Sequence, residues 1–281
     1  MSGIHRIDLG LPALLEFKGP DAVRFLNGQL TQDVRRVTDA NVVLTSCVTD
    51  AKGKLQFRIS LTESPEGALW IIGGWDSTEN LEARITRYLI ADDVEVVDLT
   101  GKYALIHFTG VLENVPEGVI QRSSRRYGVA GTDCLVPTDR EIDFPAYPVL
   151  EGDALENFRI RQGIPEWGVD ISAGILPPEA GLEATDISYQ KGCYIGQEVI
   201  SRIKSAGKVN RKLTHLRVPD QVSTLGELLV ADGTVAGELT SISPGAVEGF
   251  RDALGYVKRI AAEEALFFKS ADGVTYSVSR R

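Results

Sequence analysis

The sequence predicts an α+β fold with mainly antiparallel sheets and a separate small β-barrel at its C-terminal end. Over the first two-thirds, short β-rich segments joined by turns alternate with a few helical segments. From Val209 onward, short strands follow one another, with hairpin-type turns at Asp232-Gly233 and Asp272-Gly273. The 281 residues, 43% of them hydrophobic, provide enough core for two or three domains.

The N-terminal part is predicted as strands interrupted by two helices. The first helix opens at Gly19-Pro20-Asp21, with proline in its first turn, and Gly28 is its predicted stop. Alternating apolar and polar residues after the turn at 50–53 predict a hairpin with a half-buried second strand. The predicted elements are strands at 11–18, 42–49, 55–61, 69–73, 94–99 and 103–108, short strands within 119–136, and helices at 19–28 and about 77–89.

A further helix is predicted at 151–162, because Gly163 ends it and Pro165 prevents its resumption. A long segment rich in proline and glycine follows, from 164 to 186; such segments in compact proteins are often functional. The barrel strands are predicted at 213–218, 227–230, 235–242, 253–259, 266–269 and 275–278.

The segment 191–203, with the sequence KGCYIGQEVISRI, joins the loop to the barrel and is rich in reactive side chains. Its apolar residues recur at every fourth position, which predicts one face of a helix. Tyr194, Glu198 and Arg202 recur at the same spacing on the adjacent face. Because glycine within a helix costs about 1 kcal/mol, Gly196 is predicted to admit a close neighbour or a ligand.

The net charge of −9 excludes a general nucleic-acid surface, which requires clustered positive charge. One local exception is a run of cations without an intervening acid: Arg202, Lys204, Lys208, Arg211 and Lys212. Two interpretations stay open for this run. It is either a solvated helix end, where cations are favoured, or the entrance of a binding site that attracts an anionic ligand.

Three cysteines, Cys47, Cys134 and Cys193, lie far apart without metal-ligand spacing, and their odd number argues against a disulfide framework. A reducing compartment is therefore expected. The first ten residues contain neither a long apolar run nor a basic leader, so we expect a cytoplasmic protein without a membrane span. The three histidines show no ligand spacing.

The octamer KGCYIGQE at 191–198 resembles the signature of the YgfZ-type folate-binding proteins, which are related to the glycine-cleavage T-protein, an aminomethyltransferase. Weaker similarities occur in the same order along the chain. They are at 19–26, 29–34, 47–54, 158–165, 178–179 and 255–259. The resemblance therefore spans nearly the whole chain.

This resemblance implies three modules arranged as a ring around a central folate site. The first module would combine 1–45 with 150–208, the second would span 46–149, and the barrel would span 209–281. The cofactor would be tetrahydrofolate or a one-carbon derivative. The partners would be iron–sulfur client or assembly proteins, including tRNA-modifying enzymes, with no direct nucleic-acid binding and no membrane.

The resemblance also implies a site centred on the octamer. Cys193 would be its reactive thiol, because Lys191 and a helix N-terminus would stabilise the thiolate; the alternative is a small buried residue. One cysteine cannot hold an iron–sulfur cluster, which takes about four thiolates, so Cys193 would be one ligand of a shared cluster. The residues predicted to bind folate are Lys191, Tyr194, Gln197, Glu198, Arg202, Glu179 and Arg159.

Structural alternatives accompany these predictions. Tyr194 and Gln197 would flank the pterin ring or serve only packing, and Lys191 and Arg202 would neutralise the glutamate tail of the folate or be solvated. Glu198 would accept hydrogen bonds from the pterin, or it would pair with Arg202 along the helix. Arg159 is equally suited to a structural ion pair.

One departure from the T-protein bears on the activity. After the hairpin turn, Leu55-Gln56-Phe57-Arg58 lacks the acidic pair of the T-protein, which favours an accessory role in iron–sulfur assembly or repair. Asp76 is the predicted base if the protein is instead an aminomethyltransferase, although it is equally a helix cap. The third alternative is a non-catalytic interaction module.

Overall fold

Two antiparallel sheets form the first of two units into which the chain folds. In this computed structural model, which describes residues 3–38, 41–74, 77–142, 144, 146–207 and 209–281, the unit comprises Met1–Leu150 and Glu183–Val199. Its elements are, in chain order, β1 (Arg6–Asp8), β2 (Ala13–Lys18), α1 (Ala22–Gln29), β3 (Leu44–Thr49), β4 (Leu55–Glu63), β5 (Leu69–Gly73), α2 (Thr78–Thr86), β6 (Glu95–Asp98), β7 (Tyr103–Phe108), β8 (Ile120–Ser124) and β9 (Gly131–Pro137).

The five-stranded sheet has the order β3-β4-β5-β2-β6, and the four-stranded sheet has the order β1-β7-β9-β8. Both helices pack on the five-stranded sheet, since Phe25 and Leu26 of α1 and Leu81 and Ile85 of α2 belong to its buried core. The helix α1 runs through Gly28 and ends at Gln29, one residue beyond the predicted stop. Burial of this helix face outweighs the helix-breaking tendency of Gly28.

The hairpin of β3 and β4 is confirmed and carries the turn on which the octamer packs. Cys47 lies opposite Arg58 in its register. The Asp50 carboxylate accepts hydrogen bonds from the backbone N–H groups of Lys52, at 2.8 Å, and Lys54, at 2.9 Å. These bonds fix the turn at the end of the hairpin.

The second unit comprises Glu151–Leu182 and Ile200–Arg281 and contains a closed six-stranded barrel. The remaining elements are α3 (Gly152–Arg161), α4 (Gln197–Ala206), β10 (Arg211–Pro219), β11 (Glu227–Leu229), β12 (Val235–Ile242), β13 (Phe250–Lys258), β14 (Leu266–Lys269) and β15 (Thr275–Arg280). The strand β10 pairs with both β13 and β15, which closes the barrel in the order β10-β13-β12-β11-β14-β15. The helix α4 begins in the first unit and continues into the second.

The predicted α+β class with a C-terminal barrel is confirmed. The predicted start of the motif helix is wrong: α4 begins at Gln197, because Gly196 has φ +88° and lies in a turn. The predicted division into three modules stays a prediction. None of the helices in the described part of the chain combines the length and apolarity needed to cross a membrane.

Candidate functional site

The octamer 191–198 forms an irregular segment that packs against the end of α1 and the hairpin turn. The Ile195 N–H donates to the Gly28 carbonyl at 3.1 Å. The Thr49 hydroxyl donates to the Ile195 carbonyl at 2.6 Å. These two bonds engage both backbone polar groups of Ile195, so the octamer is fixed in place immediately before α4.

Gly196 fits this packing because it has no side chain. A Cβ atom there would lie 2.6 Å from the Asp50 carbonyl oxygen and 2.8 Å from Thr49 Oγ1. The predicted close neighbour is therefore confirmed, and it is the backbone of the hairpin turn.

Lys191 anchors the start of the octamer. Its ammonium donates to the carbonyl oxygens of Asn27, Leu30 and Gln32 at 2.6, 2.7 and 2.8 Å. The residue is 6% exposed. Burial lowers the pKa of the Lys191 ammonium to about 7, although the nearby Asp33 carboxylate opposes this effect. All three ammonium donors are engaged with the last turn of α1 and the residues directly after it, which gives Lys191 a structural role; its contact with a ligand stays a prediction.

Cys193 is exposed, whereas the other two cysteines are buried. Burial raises the pKa of Cys134 to about 12 and that of Cys47 well above its usual range. Only the Cys193 thiol is therefore open to a reactant or a partner. It lies four residues before the start of α4, so it is not at the helix N-terminus where the sequence placed it.

Tyr194 is buried beside Lys191, whose Nζ lies 5.2 Å from the centre of the phenol ring. The side chain is 7% exposed, and its hydroxyl makes no hydrogen bond to any residue that the structure describes. Burial raises the pKa of this phenol. A buried donor without a partner is uncommon and destabilising. Tyr194 lies before α4, so it does not share a helix face with Glu198 and Arg202 as predicted.

The first turn of α4 presents Gln197, which is half-buried, and Glu198, which is exposed. The Gln197 N–H donates to the Tyr194 carbonyl at 3.2 Å. The octamer thus brings together an exposed thiol, a buried hydroxyl, an amide and a carboxylate within six residues. The exposed Arg202 lies further along α4 in the part assigned to the second unit.

Two further predicted site residues, Arg159 and Glu179, belong to the second unit. Arg159 is buried, and its guanidinium donates to the Asp170 carboxylate at 2.7 Å and to the Ser241 hydroxyl at 3.2 Å. This is the structural ion pair that the sequence left open. Glu179 lies 3.8 Å from the Arg211 guanidinium. The ligand-binding roles of both residues stay predictions. Asp76 lies outside the described residues.

The sequence did not indicate the buried pair of Arg58 and Asp186. The Arg58 guanidinium donates to the fully buried Asp186 carboxylate at 2.7 Å, and the Thr45 hydroxyl donates to the same carboxylate at 2.7 Å. The Asp186 carbonyl also accepts from the Thr31 hydroxyl at 2.6 Å. These contacts attach the end of the segment rich in proline and glycine to the hairpin. The sequence shows an acidic residue, Asp186, at the end of that segment, but nothing in the sequence pairs it with Arg58.

Two cavities of the first unit, of about 430 and 470 Å³, are lined by other residues, including Glu16 and Glu66. No residue of the octamer lines either of them. Among the residues that the structure describes, no group of three or more His, Cys, Asp or Glu side chains is arranged to hold a metal ion.

The fold of the chain is that of the glycine-cleavage T-protein. The structure matches the glycine cleavage system aminomethyltransferase T from Bartonella henselae with a TM-score of 0.80, over 99% of this chain and 85% of that chain, at 16% sequence identity. No protein-family model matches the chain.

The sequence is similar to proteins named tRNA-modifying protein YgfZ, which confirms the resemblance that the octamer indicated. The protein from Klebsiella pneumoniae is 29% identical over 246 residues, covering 78% of this chain and 75% of that protein. The protein from Yersinia enterocolitica is 28% identical over 267 residues, covering 84% and 80%.

Proposed function

We propose that this protein is a cytoplasmic, YgfZ-type accessory protein that binds tetrahydrofolate or a one-carbon derivative. It acts in the assembly or repair of iron–sulfur enzymes, including enzymes that modify tRNA. Support comes from the similarity to tRNA-modifying proteins YgfZ and from the fold of the T-protein. The observation that carries the proposal is the hydrogen-bonded octamer, which presents the exposed Cys193 next to Tyr194, whose buried hydroxyl has no partner among the described residues.

The residues of the octamer fit the chemistry of a folate. A carboxylate such as Glu198 accepts hydrogen bonds from the amino and ring N–H groups of a pterin, and the Gln197 amide can both donate and accept. The Tyr194 hydroxyl needs an acceptor that the described residues do not provide. A bound folate would carry a one-carbon unit, while these side chains would hold and orient it.

The role of Cys193 follows from its accessibility. Of the three cysteine thiols, only that of Cys193 is accessible to a client protein, since Cys47 and Cys134 are buried. One accessible thiol does not fit a resident iron–sulfur cluster, which takes about four thiolates. In this proposal Cys193 acts on the client, as a thiol or as one ligand of a cluster that the partner largely holds.

Calorimetry with tetrahydrofolate tests the folate part of the proposal. Wild-type protein is expected to bind, and Glu198→Gln is expected to bind about tenfold more weakly, because a charged acceptor is lost. Glu117→Gln is the matched control, since Glu117 is an exposed glutamate outside the octamer. Absence of binding by the wild type would instead favour a non-catalytic interaction module.

Complementation of a deletion strain tests the thiol. Cys193→Ala is expected to fail to restore iron–sulfur-dependent tRNA modification while keeping wild-type thermal stability, because the side chain is exposed. Full restoration by Cys193→Ala would show that the thiol has no role.

The fold of the T-protein also supports the alternative of a folate-dependent aminomethyltransferase. The predicted base, Asp76, lies outside the described residues. An assay with aminomethyl-lipoyl carrier protein decides between the two functions. Turnover of this substrate would establish transferase activity and make it the preferred function over the accessory role.

A further inference from the structure

Among the residues that the structure describes, a pocket of about 290 Å³ in the second unit is lined by four cationic side chains and by no carboxylate. The cations are Arg211, Lys212, Arg259 and Arg280, and the remaining lining residues are small, apolar or, at Thr214, a hydroxyl. The pocket is therefore positively charged, although the chain as a whole has a net charge of −9.

The barrel brings these cations together from three distant parts of the sequence. Arg211 and Lys212 open β10, Arg259 follows β13, and Arg280 ends β15. The Arg259 N–H donates to the Asn210 carbonyl at 2.8 Å, which holds the turn after β13 against the start of β10.

Arg280 is fixed by the same turn. Its guanidinium donates to the carbonyl oxygens of Ala261, at 2.6 Å, and Glu264, at 2.9 Å. Carbonyl oxygens orient a guanidinium without neutralising its charge, so Arg280 still contributes a full positive charge to the pocket.

Arg211 is partly neutralised. Its guanidinium lies 3.3 Å from the Glu238 carboxylate and 3.8 Å from that of Glu179, and it stacks on the Tyr256 ring at 4.3 Å. Arg259, in contrast, is exposed, and its side chain makes no hydrogen bond or ion pair within the described part of the chain. The pocket therefore keeps an uncompensated positive charge.

We propose that this pocket binds the phosphate group of a nucleotide, either free or within an RNA strand. Guanidinium groups match phosphate oxygens in a forked geometry, and a terminal phosphate offers about two charges and three acceptor oxygens in a small volume. The apolar walls, formed by Val209, Val257 and Ala262, suit the uncharged part of a nucleotide. The volume lies near the lower end of the range for small-molecule sites, about 300–1,000 Å³, which limits the occupant to roughly one nucleotide.

This site is independent of the proposed folate function, because no residue of the octamer lines it. Of the two interpretations of the cationic run, it favours the entrance of an anion-binding site, because Arg211 and Lys212 line the pocket. Arg202 and Lys204 do not line the pocket, and Lys208 lies outside the described residues.

The test uses the full chain and two probes. Calorimetry with AMP at millimolar concentration, with adenosine as the probe that lacks phosphate, measures the phosphate contribution. Fluorescence anisotropy with a short single-stranded RNA lacking a terminal phosphate measures binding of a phosphate within a strand. Each is repeated with Arg259→Gln, and with Lys269→Gln as a charge-matched control, because Lys269 is exposed on β14 and does not line the pocket.

AMP or the RNA is expected to bind the wild type, and Arg259→Gln is expected to weaken binding about tenfold, while Lys269→Gln leaves it unchanged. If AMP binds and the RNA does not, the phosphate that the pocket recognises belongs to a free nucleotide. If the RNA binds and AMP does not, the phosphate belongs to an RNA strand. The proposal is overturned if neither probe binds, if adenosine binds as well as AMP, or if both variants lose binding equally. It is also overturned if oligoglutamate displaces the bound probe at a lower concentration than AMP does, since the site would then take carboxylates. An unchanged Tm of Arg259→Gln shows that the variant is folded.

Discussion

The backbone of Gly196 lies directly against the Asp50 carbonyl, so that a Cβ atom on Gly196 would lie 2.6 Å from that oxygen. The two residues belong to the octamer and to the turn of the hairpin, and they are held together by the bond from Thr49 to Ile195 at 2.6 Å. Gly196 also has φ +88°, a conformation that other residues rarely adopt. Its lack of a side chain is therefore required twice, by packing and by backbone conformation.

We expect Gly196→Ala to lower the free energy of unfolding by about 2 kcal/mol or more, from backbone strain and displacement of the hairpin turn. Urea unfolding measures the change. Gly192→Ala is the matched control, because a Cβ at Gly192 meets no atom within 4 Å. Equal stabilities of the two variants would contradict the packing described for Gly196.

The Lys191 ammonium donates hydrogen bonds to three backbone carbonyl oxygens, one in the last turn of α1 and two directly after the helix. We expect Lys191→Met to destabilise the protein by about 3 kcal/mol, because the carbonyls of Asn27, Leu30 and Gln32 lose a charged donor inside the protein. Urea unfolding of Lys52→Met, a change at an exposed lysine of the hairpin turn, provides the comparison. A loss no larger than that of the control would mean that the three bonds do not stabilise the fold.

For Tyr194 we expect a substitution to raise the stability of the free protein rather than lower it. Because its buried hydroxyl has no partner in the part of the chain that the structure describes, we expect Tyr194→Phe to stabilise the free protein by up to about 1 kcal/mol and to weaken tetrahydrofolate binding. Tyr256→Phe should instead destabilise the protein, since the Tyr256 hydroxyl donates to the Asp170 carbonyl at 3.0 Å. Thermal unfolding and calorimetry measure the two effects. Destabilisation by Tyr194→Phe would show that its hydroxyl has a partner in the free protein.

Local patterns explain why much of the fold was predictable. The hairpin depends on a turn within 50–53, and α3 ends at Arg161, two residues before Gly163, which has φ +70°. Both signals are contained in a few adjacent residues. The octamer was recognisable for the same reason, since its residues are contiguous in the sequence.

The remaining features depend on contacts between distant residues. Lys191 and the carbonyl of Leu30 are 161 positions apart, and Arg58 and Asp186 are 128 positions apart. No periodicity or spacing links such pairs. The start of α4 was predicted too early because the conformation of Gly196 is set by the hairpin turn, whereas the apolar spacing of 191–203 is also compatible with a continuous helix.

The buried carboxylate of Asp133 gives the fold a defined response to acid. It lies 2.7 Å from His107 Nδ1 and 2.8 Å from the Arg126 guanidinium. Burial opposes its ionisation, but Arg126 and His107 outweigh burial and hold the pKa of Asp133 at about 2, below its ordinary value of 3.8.

Because this folded-state pKa is lowered, the contribution of Asp133 to stability is complete above pH 3.8 and is lost as the pH falls through about 2. The shift corresponds to about 2 kcal/mol. We therefore expect wild-type protein to lose stability over this range more steeply than Asp133→Asn, whose side chain does not titrate. Urea unfolding at several pH values measures the two slopes, and Asp139→Asn, a change at an exposed acid, should keep the wild-type slope. Parallel slopes for the wild type and Asp133→Asn would mean that the carboxylate of Asp133 is not preferentially ionised in the folded protein.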